Sequence, residues 1–291
     1  MNVTRAEVCV VACAEAWRGD GEIVASSFGV IPTIGARLAR ASVLAADSLL
    51  AAGPCLPPGG TTPPSPPELG RVRLVWVNSP SNPTGRVLPP EHLRKVVAWA
   101  RERGVVVASD ECYISLGWDA APVSVLHPSV CGGSHDGVLA VHSLSKRSNL
   151  AGYRAGFVTG DPALMKDLLL VGRQAGMIVP APVQAAMIAA LSDDAHAAEQ
   201  KARYAARRAV LVEGLTAAGF RIEHSAAGLY LWATRPGLDC WAACELLAAE
   251  CGILVGPGSM YGPEGSGYIR VALTATDEQV RVASERLRAL H

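Results

Sequence analysis

Neither sign of charge is in excess in this chain: 26 Lys and Arg balance 26 Asp and Glu over 291 residues. A protein that gathers nucleic acid electrostatically shows a basic excess or stripe, so the balance argues for a small-molecule substrate rather than a polyanion. No C-x-x-C pair occurs among the eight cysteines, which removes a common zinc and redox pattern. Cys9/Cys13 and Cys240/Cys244 are four apart, one face of a helix, but no further His or Cys lies close by in sequence. Ordinary buried thiols are the reading, and no metal is expected. The count suits a reducing cytoplasm better than a small disulfide scaffold. The apolar stretch Val8 to Ala14 is bracketed by Glu7 and Glu15 and is too short to span a bilayer. Only Arg5 stands before it as the basic start of a signal peptide, so a terminal helix is the plainer reading. No internal repeat is evident, and no membrane association is expected.

Half of the chain is apolar, enough for a substantial core and for two domains. Residues 53 to 70 are crowded with Pro, Gly, Ser and Thr, including three Pro-Pro pairs. They lack the donors of a helix or central strand and read as a surface loop or disordered insert. The pattern then becomes regular. Strands are expected at Arg71 to Val77, Val105 to Ser109, Val138 to His142 and Ala155 to Thr159. A helix is expected from Pro89-Pro90-Glu91 to Gly104, with Leu93, Val96, Val97 and Ala100 as its apolar stripe. Continuous apolar strands separated by a helix indicate an α/β fold with a mostly parallel sheet covered by helices on both faces. A long helix over 193–218 leads to a smaller α+β unit. Its strands are expected at Leu229 to Ala233 and Tyr268 to Leu273, and its helices near Cys240 to Glu250 and Asp277 to Leu290. The expected division is a larger unit over 1–190 and a linking helix with a smaller unit over 191–291.

Ligands of such sheets sit at the carboxyl ends of the strands. Asn82 follows the first strand, Asp110 ends the second, and Ser143 to Lys146 follow the third. Lys146 is the most telling residue. A lone lysine is usually a solvated charge, but the end of a buried strand suits an amine that must attack an aldehyde. Ser143 and Ser145 can donate to a phosphate, and Arg154, eight residues on, can pair with one. Pyridoxal phosphate carries both groups. Asp110 is either a turn carboxylate or the group that keeps a pyridine nitrogen protonated. Tyr113 could hydrogen-bond the ring hydroxyl. Asn82, in the turn-rich Asn78-Ser-Pro-Ser-Asn-Pro-Thr-Gly85, is either a turn former or an amide donor to the ring oxygen, and a cis bond before Pro80 or Pro83 suits so tight a loop. Arg270, inside Tyr-Ile-Arg-Val-Ala-Leu, is either an edge charge or a buried carboxylate clamp.

In order, N-P-T-G at 82–85, D-E-x-Y at 110–113, S-x-S-K at 143–146 with Arg154 beyond, and the late R-V-A at 270–272 resemble the class I/II aminotransferases of the fold-type I pyridoxal-phosphate family. More narrowly, Val77 to Pro89, Ala108 to Tyr113, Gly228 to Thr234 and Arg270 to Asp277 resemble its actinobacterial N-succinyldiaminopimelate aminotransferase branch. The resemblance runs from about Arg71 to the end. It implies that Lys146 holds the cofactor covalently and then moves the substrate proton. By the same resemblance Asp110 holds the pyridinium, Asn82 and Tyr113 bind the ring oxygen, and Ser143, Ser145 and Arg154 bind phosphate. Arg270 clamps the α-carboxylate. The implied reaction is a two-step amino transfer with glutamate as donor and an oxo-pimelate derivative of lysine biosynthesis as acceptor, in a homodimer.

The first third departs from that pattern. Ile31-Pro-Thr-Ile-Gly35 resembles the entry to the family's phosphate loop, yet Ala36-Arg37-Leu38 follows where a Ser or Thr and a lysine belong. Two strands and an aromatic-bearing loop are expected there and are missing, as if by internal deletion. Between Gly35 and Asn82 the only aromatic is Trp76, inside an expected strand. Two further readings therefore stay open: a remnant that binds cofactor poorly, and a pyridoxal-phosphate lyase, which shares most of these residues.

Overall fold

The computed structural model describes residues 22–23 and 72–290. The Val8 to Ala14 segment, the junction after Gly35 and the Pro-rich stretch 53–70 lie outside the described residues. In the first sheet β1 (Glu22–Ile23), β2 (Val72–Asn78), β3 (Val106–Asp110), β4 (Val138–Ser143) and β5 (Gly156–Gly160) are neighbours in sequence order. The first four run parallel, with Asn78 opposite Asp110 and Asp110 opposite Val141. Val77, Val107, Ala108, Val138 and Ala140 are buried, which is why these segments are apolar throughout.

β5 is the exception in this mostly parallel sheet, for it runs antiparallel to β4, with Ser143 opposite Gly156. The link between them holds only a one-turn helix, α3 (Leu144–Arg147), and a 3₁₀ turn at Ala151–Tyr153. A parallel return needs a crossover, normally a packed helix, and this link has none, so the chain doubles back.

Between β2 and β3, α1 (Pro90–Glu102) opens on proline with Glu91 in its first turn. It buries Leu93, Val97 and Ala100 and stops before Gly104 at φ +62°. α2 (Pro128–Cys131) precedes β4. After β5, α4 (Pro162–Gln174) is capped by Asp161, whose carboxylate accepts from Ala163 and Leu164 N–H, and α5 (Ala181–Leu191) follows. α6 (Ala195–Ala217) leads to the second sheet.

That sheet is antiparallel, in the order β6 (Arg221–Glu223), β7 (Tyr230–Thr234), β9 (Ile269–Ala272), β8 (Gly256–Pro257). α7 (Cys240–Cys251) and α8 (Asp277–Arg288) complete the unit. Its core is Leu215, Phe220, Leu229, Leu231, Leu247, Ile269, Leu273 and Leu287. Cys240 and Cys244 share a face of α7, as their spacing predicts. The Cys240 thiol meets Ser259 and that of Cys244 the carbonyl of Val255.

The sheets meet through loops. Ser225 N–H donates to the Thr84 carbonyl and Ala227 N–H to that of Gly85. Gly85 has φ +67°, and a Cβ there would lie 2.6 Å from the Ala227 oxygen. Only glycine lets the two backbones approach so closely. Among the described residues no helix is long and apolar enough to cross a membrane.

Candidate active site

The carboxyl ends of β2, β3 and β4 open on one edge of the first sheet, and each delivers side chains to it. The β2 exit is a tight loop in which both Ser79–Pro80 and Asn82–Pro83 are cis. Leu88 N–H donates to Ser79 Oγ at 3.0 Å, and Ser79 N–H donates to the Asp110 carbonyl at 3.2 Å, so this loop is tied to the β3 exit. Asn78 and Asn82 are buried. At the β3 exit the Asp110 carboxylate accepts from Cys112 N–H at 3.0 Å. Tyr113 is buried, with its ring 6.0 Å from that of Tyr230 at 70°. Burial pushes the Tyr113 phenol far above its usual range, and Cys112, Tyr230 and Asp110 add to the effect. The phenol is therefore a permanent donor. Burial likewise raises the Cys112 thiol, helped by Asp110 and opposed by Lys146, so it is not a nucleophile.

The β4 exit is short and rigid. Ser143 Oγ accepts from Ser145 N–H at 3.1 Å and donates to Ser145 Oγ at 2.8 Å, capping α3, which carries Lys146. Arg147 donates to the Ala190 carbonyl at 2.8 Å and pairs with Asp194, which ties α3 to the start of α6.

The second sheet adds one cation. Arg270 donates from Nη1 to Asn82 Oδ1 at 3.2 Å, across 188 residues of sequence. Its guanidinium lies 4.0 Å from the Tyr230 ring centroid and 5.2 Å from that of Tyr261. These rings hold its plane by cation–π attraction while leaving the in-plane donors for a carboxylate.

Asn82, Asp110, Tyr113, Ser143, Ser145, Lys146 and Arg270 thus belong to three adjoining strand exits and the strand that faces them. Arg154 does not join them. It is exposed, at φ 54°, and donates to the Ala151 carbonyl of its own turn at 3.0 Å. Sequence reasoning missed Asn78, Tyr230 and Tyr261. Asn78 sat in a motif already singled out. Tyr230 carries a readable signal, since it alternates with the fully buried Leu231 and Ala233 and so shares a face with Trp232, the register partner of Arg270. Tyr261 comes from a 3₁₀ turn with no periodic pattern.

Residues 61–287 match the family model for aminotransferase class I and II. The chain belongs to this family. It is 60% identical over 254 residues to a probable aminotransferase, Rv1178, of Mycobacterium tuberculosis, covering 87% of the chain and 57% of the relative. It is 63% identical over 225 residues to the 4-dedimethylamino-4-oxo-anhydrotetracycline transaminase OxyQ of Streptomyces rimosus, covering 77% of the chain and 62% of that protein. An LL-diaminopimelate aminotransferase 2 of Nostoc is 35% identical over 76% of the chain and 57% of its own length. The chain therefore spans about three-fifths of the length of the curated relatives it matches. Among solved structures, an aminotransferase of Neisseria meningitidis superposes with a TM-score of 0.80 at 28% identity, covering 98% of this chain and 74% of that one. N-Succinyldiaminopimelate aminotransferase of Mycobacterium tuberculosis superposes with a TM-score of 0.76 at 24% identity, over 97% and 76%, a likeness of fold.

The family depends on pyridoxal phosphate, and the residues at this edge fit that group. Asn78 Oδ1 and Arg270 Nε are buried without a hydrogen-bond partner. Asn78 shares its face with Asp110, its register partner. These two, of seven such atoms among the described residues, border the edge where a polar ring and its substrate would lie.

Proposed function

We propose that this chain catalyses pyridoxal-phosphate-dependent amino transfer, with glutamate as donor. The observation that carries the reading is Arg270: a guanidinium from the second sheet bonded to Asn82 at the exit of the first, braced by two tyrosine rings, with Nε still unpartnered. When bound, the cofactor supplies an aldehyde for an amine to capture and a pyridine ring that draws electrons from the substrate α-carbon.

The side chains then have separable tasks. Lys146 Nζ would hold the cofactor until substrate arrives, and would then take the proton from the substrate α-carbon and return it during transfer. The Asp110 carboxylate would accept from the protonated ring nitrogen. Asn82 Oδ1 is occupied by Arg270, so its amide N–H₂ is left to donate to the ring oxygen, as the Tyr113 phenol does. Ser145 would donate to the phosphate, Ser143 would join by turning its hydroxyl away from Ser145 Oγ, and Arg154 by releasing the Ala151 carbonyl. Arg270 clamps the α-carboxylate as a fork.

For the acceptor we read an N-succinylated oxo-pimelate derivative of lysine biosynthesis, which becomes N-succinyl-LL-diaminopimelate as glutamate becomes 2-oxoglutarate. The support is the sequence resemblance and the diaminopimelate aminotransferases among the relatives. The identity to OxyQ favours a second acceptor, a polycyclic ketone. The proposal includes two units, 1–190 and 191–291, a homodimer and a cytoplasmic setting. Purified protein given cofactor, glutamate and each oxo acceptor in turn should release 2-oxoglutarate. Pyruvate and ammonia from a cysteine-like substrate would instead indicate a lyase, and protein that takes up no cofactor would indicate a remnant.

A further inference from the structure

Asp110 and Cys112 flank a residue that the mechanism does not use. Glu111 has its side chain wholly out of solvent. Its Oε1 accepts from Val125 N–H at 2.7 Å, while Oε2 has no hydrogen-bond partner. The nearest cation-capable group is His142, with Nε2 3.6 Å from Oε2. His142 immediately precedes Ser143, and its ring stacks on Phe157 of β5 at 5.0 Å and 27°. Glu111 N–H also donates to the Val141 carbonyl at 2.9 Å. Ser109 of β3, Ser124 and Val125 of the segment before α2, and His142 of β4 face the carboxyl. Glu111 and Phe157 face the imidazole.

A buried carboxyl group is costly unless its lone pairs are met. Hydrophobic side chains would fill this space at less cost, so the pair calls for another account. Its position supplies one. Glu111 is one bond from Asp110, and His142 is one bond from the Ser143 cap that orients Lys146.

We propose that Glu111 and His142 form a buried carboxyl–imidazole pair that locks the exits of β3 and β4 together and thereby positions Asp110 against Lys146. This rests on the proposed function. Both are positioning residues, since neither borders the reacting atoms. The carboxyl already stands above its ordinary range because burial outweighs the help of the Val125 N–H, Ser124 and His142.

The test has two arms. Carbon-13 NMR of glutamate-labelled, cofactor-free protein reads the Glu111 carboxyl. His142→Phe keeps the ring stack and removes the nitrogens, and should move the Glu111 titration upward by about one unit or more. An unmoved titration overturns the pair. In the loaded enzyme, Glu111→Gln keeps an acceptor for Val125 N–H and should lower kcat about tenfold with KM within about twofold. An unchanged kcat, or equal losses in kcat and in stability, overturns the positioning role. A wild-type chain without amino transfer would refute the proposed function and the catalytic half of this inference, while the titration judges the pair by itself.

Discussion

The second sheet closes around Leu231, Leu247, Ile269 and Leu273, each out of solvent, whereas α4 and α5 beside the first sheet bury no residue. Leu169 on α4, Ile188 on α5 and Met177 between the two helices are 62%, 64% and 68% exposed. Stability and chemistry are therefore distributed differently. The first sheet supplies Asn82, Asp110, Tyr113 and Lys146 at its exits, on a scaffold with one bare flank. The second supplies a closed core and one cation, Arg270, that reaches the same edge through Asn82. An amphipathic or apolar helix in sequence is an offer of a face, and only a neighbour turns it into core.

The contrast can be broken or sharpened by substitution. The largest effect belongs to the first sheet: Lys146→Ala should lower amino transfer by about a thousandfold or more with the thermal midpoint unchanged, read by a 2-oxoglutarate release assay and melting. The second sheet answers in stability. Leu247→Ala should cost about 2–5 kcal/mol in denaturant unfolding, and a loss under 1 kcal/mol would mean that this core is looser than its burial indicates. Arg270→Lys keeps charge but loses the fork and the ring stacking, so KM for the amino donor should rise about ten- to a hundredfold with a smaller change in kcat.

Asp161 gives a pH effect. Its carboxylate accepts from Gly137, Ala163 and Leu164 N–H, which holds its folded pKa below the usual carboxylate value. The stabilisation is present above the unfolded pKa and lost as pH falls through the lower folded value. Asp161→Ala should cost about 1 kcal/mol near neutrality, and the difference between the two proteins should shrink in acid urea melts. Smallest of all, Leu169→Gln on the bare flank should change stability by about 0.5 kcal/mol or less. A large loss would show that this face is covered in solution.

Much of the frame is legible from sequence because buried parallel strands are short apolar runs that end in polar residues. That rule located β2, β3 and β4 to within one residue and placed Asn82, Asp110 and the Ser143 to Lys146 turn on one edge. β5 was found but not its direction, which depends on what the link to β4 lacks. β6 and β8 are two or three residues long and carry no period, and α4 and α5 went unassigned. The brace of Tyr230 and Tyr261 on Arg270 joins residues across β7, β9 and a 3₁₀ turn, so only the folded chain brings it together. The tether between Glu111 and His142 is likewise hidden, because each residue reads locally as an ordinary polar strand end.

We propose above all that the amine of Lys146 captures the cofactor's aldehyde at this edge. Borohydride reduction of the protein in the presence of pyridoxal phosphate, followed by peptide mass spectrometry, tests it directly. The expected product is a reduced phosphopyridoxyl group on Lys146. A chain that carries no such group, or carries it only on other lysines, would overturn that assignment.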